Sequence, residues 1–298
     1  MRIGLSIPSR RWPDDGPVTF TQMAEWALRA AEAGFEAVWA SDHFYVDAGE
    51  GGRHPSPDPV SLLSYLAGRV DDIQLGTLVL GAPFRSPGQT SREARTLAEL
   101  SGGRFILGVG AGWHEGEFKA FDLPFNHRVS RFEEYLEVTT RLVRGETVSH
   151  QGRYFTLREA QVVGGATPPL WVAGAGPRVI SLAARYADGW NPNGPPERFP
   201  EHLARLRRQE EAAGRAPGTV KVGAGHPALV LSAQERRTLF GDDDPGFPTT
   251  EREVADTIER YRNSGWDQVL LHLSGQIWAA YREDQVARVA EAVRLSPA

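Results

Sequence analysis

RFILGVGAGWHEGEF, Arg104 to Phe118, decides between two parallel-sheet folds. An apolar run leads into Gly108, Gly110 and Gly112 and then turns polar. A dinucleotide fingerprint requires G-x-G-x-x-G between a strand and a helix, with an acidic residue about 20 positions on at the end of the next strand. Here the third glycine arrives one residue early and Trp113 occupies the fingerprint position. The region about 20 positions on reads RFEEYLEVTTRLV, which has helical rather than strand spacing. The doubly wound dinucleotide fold loses its signature, and the loop needs another use.

Outward from this stretch, eight short β-branched or aliphatic runs alternate with helical patterns, the βα grammar of a parallel sheet. They are IGLSI at Ile3, AVWAS at Ala37, IQLGTLVL at Ile73, FILGVG at Phe105, PLWVAG at Pro169, GWNP at Gly189, VKVGAG at Val220 and QVLLHL at Gln268. Thr19 and Gln22 form a capping box before MAEWALRAAEAG, whose Met23, Trp26, Ala27 and Ala30 share one face, and Gly34 ends that helix. AGFEAVW and SGWDQVL resemble each other across the chain, as repeated βα units would. The pattern predicts a (β/α)8 TIM barrel forming a single domain over residues 1–298. Two segments interrupt the repeat. Gly145 to Leu157 reads as a hairpin around Gln151-Gly152, inserted between the fourth and fifth strands, and Leu239 to Thr250 as a turn-rich loop after the seventh.

A chain of 298 residues with 41% hydrophobic and 24% charged residues can bury one large core. The net charge of -5 offers no basic field for nucleic acid. The absence of cysteine excludes disulfides, thiolate metal sites and a cysteine nucleophile. No signal peptide or membrane span is evident, so a cytoplasmic protein without a membrane partner is expected. Apolar outer helices make a homodimer a reasonable expectation.

Functional groups of a barrel lie at the carboxyl ends of its strands. Those ends are rich in glycine and histidine and poor in carboxylates, which suits an anionic, planar cofactor held by backbone amides. At Gly174-Ala175-Gly176 a strand enters a helix beginning near Pro177, with Arg178 beside it. The turn either receives a phosphate on the helix N-terminus or needs glycine for packing. His43, after Asp42, either exchanges a proton near the cofactor or caps a loop. His226 and His272 read as satisfied core histidines. No H-x-H follows the first strand and no H-E-x-x-H occurs, so no metal centre is expected. No G-x-S-x-G elbow occurs, and Lys221 stands at the wrong end of its strand for a Schiff base.

SDHF at Ser41, LGTLVLGAPFRSP from Leu75, LSGGRFILGVGAGWHEGEF from Leu100, RFEEYLE from Arg131 and AGAGPRVISLAARYADGWN from Ala173 together resemble the bacterial luciferase-like superfamily. They look most like its coenzyme F420 (deazaflavin) oxidoreductase branch. The resemblance implies that Asp42 and His43 flank the head group, His43 nearest the reacting carbon. It implies a non-prolyl cis peptide at Leu78-Val79 behind the ring. Ala111, Gly112 and Gly116 would lie along the cofactor, and Gly174, Ala175, Gly176, Arg178 and Val179 at its phosphate end. Sugar-phosphate dehydrogenases of this branch carry a glutamate where this chain has Trp113, and their substrate-phosphate lysines find no match in GWNPNGPPERFPE. Trp113 instead suggests an aromatic wall for a small-molecule substrate, with Phe44 and Trp12 as neighbours.

The expectation is an F420-dependent oxidoreductase passing a hydride between cofactor C5 and a small organic substrate. An FMN-dependent monooxygenase on the same fold and a non-catalytic flavin-binding barrel are the alternatives.

Overall fold

The computed structural model of the chain describes residues 1–8, 10–11, 18–47, 52–192, 198–273, 280–281 and 284–296. Eight parallel strands carry the fold: Arg2–Ser6, Ala37–Ala40, Gln74–Thr77, Phe105–Gly110, Leu170–Ala173, Gly189–Asn191, Lys221–Pro227 and Gln268–His272. Each pairs with its neighbour in sequence, the eighth returns to the first, and the fourth pairs with the fifth, so the sheet closes. A closed, parallel eight-stranded sheet alternating with helices is a (β/α)8 barrel.

The chain forms two compact units. One comprises Met1–Trp39, Phe44–Pro57 and Gly223–Ala298. Its α1 helix, Phe20–Glu32, starts at the expected capping box: Thr19 accepts from Gln22 N at 3.2 Å and donates its own N–H to Gln22 Oε1 at 3.0 Å. Met23, Trp26, Ala27 and Ala30 are buried, and Gly34 takes a positive φ of 91° just beyond the helix. Part of the expected loop at Leu239 belongs to a helix, Ala233–Phe240, opened by a Ser232–Glu235 capping box. His226 is buried with Nδ1 3.0 Å from Tyr261 Oη, as a satisfied core histidine should be. His272 differs, because its buried Nδ1 lacks a hydrogen-bond partner among the described residues.

The second unit comprises Ala40–His43 and Asp58–Val222. The third strand is shorter than IQLGTLVL suggests. It ends at Thr77, the Leu78–Val79 peptide is cis, and Leu80–Gly81 resumes pairing against Val109 and Gly110. The hairpin of Val148–Gln151 and Thr156–Ala160 is antiparallel, with Thr156 opposite Gln151. Its turn is longer than the sequence suggests, spanning 152–155. Glu134, on the helix Arg128–Val143, accepts the N–H groups of Arg153, Tyr154 and Phe155 and holds that turn to the helix. Multiple N–H donors keep the Glu134 carboxyl below its ordinary range in spite of burial.

Candidate active site

The fourth strand is buried along its whole length, and its glycines are set by its neighbours. A Cβ on Gly108 would lie 1.9 Å from the Thr77 carbonyl oxygen, and one on Gly110 2.6 Å from Val79 Cγ2. Gly112 has φ 77°, and a Cβ there would meet Phe118 Cζ at 2.6 Å. Gly108 and Gly110 therefore admit the protein's own third strand. Thr77 locks this approach, its Oγ1 donating to Gly108 O at 2.8 Å and accepting from Gly108 N at 2.9 Å.

Beyond the glycines the chain turns into a short helix, Glu115–Ala120, with Gly116 in its exposed first turn. The next residue, Glu117, is 1% exposed and faces inward. Its Oε2 lies 2.8 Å from His43 Nδ1 and 3.2 Å from His114 Nδ1. Trp113 stands edge-on to His43 with ring centroids 5.9 Å apart, and its centroid is 5.3 Å from that of His114. Its own side chain stays 57% exposed. An acid buried beside two imidazoles, with an exposed indole next to them, is an arrangement chemically able to hold or pass a proton.

Asp42, one residue before His43, is used differently. It accepts from Gly81 N at 2.9 Å and pairs with Arg85. Arg85 also pairs with Asp58 and reaches Glu93 at 3.4 Å. Burial raises the Asp42 carboxyl above its ordinary range, and Arg85 offsets this only in part because one guanidinium is shared among three carboxylates. Burial likewise works against the Arg85 charge, but Asp42, Asp58 and Glu93 hold it above its ordinary value.

At the fifth strand, Gly174 has φ 129° and a Cβ there would press on Val179 Cγ1 at 3.1 Å. Its N–H donates to Asn191 O at 3.0 Å and its carbonyl accepts from Trp190 Nε1 at 2.9 Å. Gly176 is the N-cap of α2, Pro177–Tyr186, and no side chain caps it. The first N–H groups of a helix have no partner within it. Ala175 and Arg178 sit at this end, Arg178 pairing with Glu133 at 2.9 Å, while Val179 is buried. Asn191 is 2% exposed, and its Nδ2 has no hydrogen-bond partner among the described residues.

The model of the luciferase-like monooxygenase family matches residues 1–239. The chain belongs to this family. Within the luciferase-like proteins it is 32% identical to an F420-dependent glucose-6-phosphate dehydrogenase of Kineococcus radiotolerans, over 86% of this chain and 88% of that one. It is 33% identical to a protein of the same description from Amycolatopsis mediterranei, over 56% of this chain and 52% of that one. An F420-dependent hydroxymycolic acid dehydrogenase of Mycobacterium tuberculosis is 31% identical over 73% and 60%. The chain thus spans little more than half the length of two of these curated relatives. A solved F420-dependent secondary alcohol dehydrogenase in complex with an F420-acetone adduct superposes with a TM-score of 0.82 at 19% identity, over 100% of this chain and 99% of that one. At that identity the likeness speaks for the luciferase-like fold alone.

Of the residues expected at the site, the structure brings His43 and Trp113 together and commits Asp42 to Arg85. Phe44 is exposed in the other unit, and Trp12 lies outside the described residues. Glu117, His114 and Arg85 escaped the sequence reading. The i, i+3 spacing of His114 and Glu117 at the start of a helix was the available signal. Arg85 carries no local signal, since its partners Asp42 and Asp58 are far away in sequence.

Proposed function

We propose that this protein is an F420-dependent oxidoreductase in which His43, oriented by Glu117, exchanges a proton with the substrate. The observation that carries this reading is the 2.8 Å contact between His43 Nδ1 and the buried Glu117 carboxylate. A neutral imidazole donating Nδ1–H to Glu117 carries its basic lone pair on Nε2, the atom through which the proton passes. The oxidoreductase relatives whose names include F420 support the cofactor, and the site chemistry fits it. The buried, orphaned Asn191 amide and the uncapped N-terminus of α2 are donors suited to an anionic group, with Gly176 leaving room for it. Ala175, Gly176, Arg178 and Val179 would hold the phosphate end, and Ala111, Gly112 and Gly116 would lie along the cofactor's length. A bound deazaflavin supplies hydride transfer at its C5.

The chain's own residues orient, exclude water and move the proton. Trp113 presents an aromatic surface beside His43, where a sugar-phosphate dehydrogenase would carry a carboxylate. The substrate is therefore a small, largely apolar alcohol or carbonyl compound rather than a hexose phosphate. Titrating the purified protein with F420 and with FMN tests the cofactor. Tight F420 binding is expected, whereas tight FMN binding with oxygen consumption would replace this reading by a monooxygenase. His43→Ala should lower kcat by more than about 100-fold with cofactor affinity nearly intact. Glu117→Gln should lower kcat by about 10-fold or more and shift the pH profile, as a group acting through His43 would. Undiminished turnover in His43→Ala would refute the assigned role.

A further inference from the structure

Linear motifs spoke against a metal centre because no H-E-x-x-H occurs, and His114-Glu115 lacks a second histidine at that spacing. The tertiary structure supplies one from the end of the second strand. His43, His114 and Glu117 each offer one ligand atom, and these atoms lie within 4.8 Å of one another. Two bonds of about 2.0–2.1 Å at a tetrahedral angle set their ligand atoms about 3.3 Å apart. The Glu117 Oε2 to Nδ1 separations of 2.8 Å for His43 and 3.2 Å for His114 are close to that value.

We propose that His43, His114 and Glu117 form a binding site for a divalent ion of the Zn²⁺ type, and that its occupation shuts off the enzyme through His43. Two imidazoles and a carboxylate with a fourth position open are a donor set such ions accept. The carboxylate is already buried, so its desolvation is already met by the fold, and an ion adds a charge that buried carboxylates favour. The protons balance without loss. For Nδ1 to coordinate, each neutral ring moves its proton from Nδ1 to Nε2, and Glu117 binds as the carboxylate. His43 then has no basic nitrogen, and Nε2–H of a neutral, metal-bound ring is a poor acid near neutral pH. Proton exchange with substrate stops in both directions. Binding to the cofactor-free protein does not depend on which cofactor the enzyme uses, so this inference can fail while the F420 reading stands.

Co²⁺ titration of the cofactor-free, full-length protein is the direct test, read by its visible absorption bands and displaced by Zn²⁺. One ion per chain is expected. His114→Ala and Glu117→Gln should each weaken it by more than about 10-fold. Co²⁺ should also quench part of the indole fluorescence, and Trp113→Phe should remove that part. Zn²⁺ should inhibit the wild type reversibly, EDTA should restore it, and His114→Ala should lose this sensitivity relative to its own metal-free rate. His114 is partly exposed, so that variant serves if Glu117→Gln does not fold. No saturable Co²⁺ binding, or binding unchanged in His114→Ala, would overturn the proposal.

Discussion

Replacing Arg85 by methionine removes the guanidinium while keeping much of its stem. Asp42 would keep the Gly81 N–H and lose its counter-charge in a buried position. Breaking a buried pair from one side costs about 3–5 kcal/mol. Asp58 and Glu93 are more exposed, so losing their contacts adds little. The retained Gly81 bond places the expected cost near the lower end, about 3 kcal/mol at pH 7. Its pH dependence follows from Asp42, whose carboxyl is raised by burial even with Arg85 opposing. Removing Arg85 raises it further. A carboxyl raised in the folded state is favoured when protonated, so its penalty is absent below the unfolded value of 3.8 and grows as pH rises through the folded value. Arg85→Met should therefore cost most near neutrality and less in acid. Adding Asp42→Asn should recover most of the loss at pH 7. Urea unfolding at several pH values, with unchanged slopes, reads this directly. A loss below about 1 kcal/mol at pH 7, typical of an exposed pair, or one independent of pH, would refute the reasoning.

Gly108→Ala should destabilise the protein by about 3 kcal/mol or more, because its Cβ would lie 1.9 Å from Thr77 O. Gly88→Ala, in the helix Pro87–Leu100 with nothing within 4 Å of the added Cβ, should instead gain about 0.5 kcal/mol. Thermal unfolding of the two variants should shift in opposite directions. Burial, reinforced by His226, lowers His272 from 6.5 to about 4. The unfolded chain then takes up a proton the folded one refuses, so stability is full above 6.5 and falls by up to about 3 kcal/mol as pH drops toward 4. His272→Gln should flatten that part of the pH–stability curve.

Much of the barrel is legible in the chain because βα repetition and capping are local. Thr19 and Gln22 mark a helix start without reference to anything distant, and the glycine before a strand marks a helix end. Even the four-residue run at Gly189 holds a barrel strand, Gly189–Asn191. Boundaries depending on distant partners were not legible. The hairpin turn runs to Phe155 because Glu134, about twenty positions earlier, gathers its N–H groups.

The candidate site divides in the same way. The sequence by itself determined that His43 follows a strand, that Trp113 stands where a dinucleotide loop needs glycine, and that glycines cluster at the ends of the fourth and fifth strands. Tertiary structure alone decided that Gly108 and Gly110 make room for the third strand, that Asp42 belongs to Arg85, and that Glu117 binds His43 across 74 positions. A hydrogen bond acts over about 3 Å of space and is indifferent to separation along the chain. Spacing in sequence can therefore place each residue on its element, and only closure of the barrel selects which two will meet.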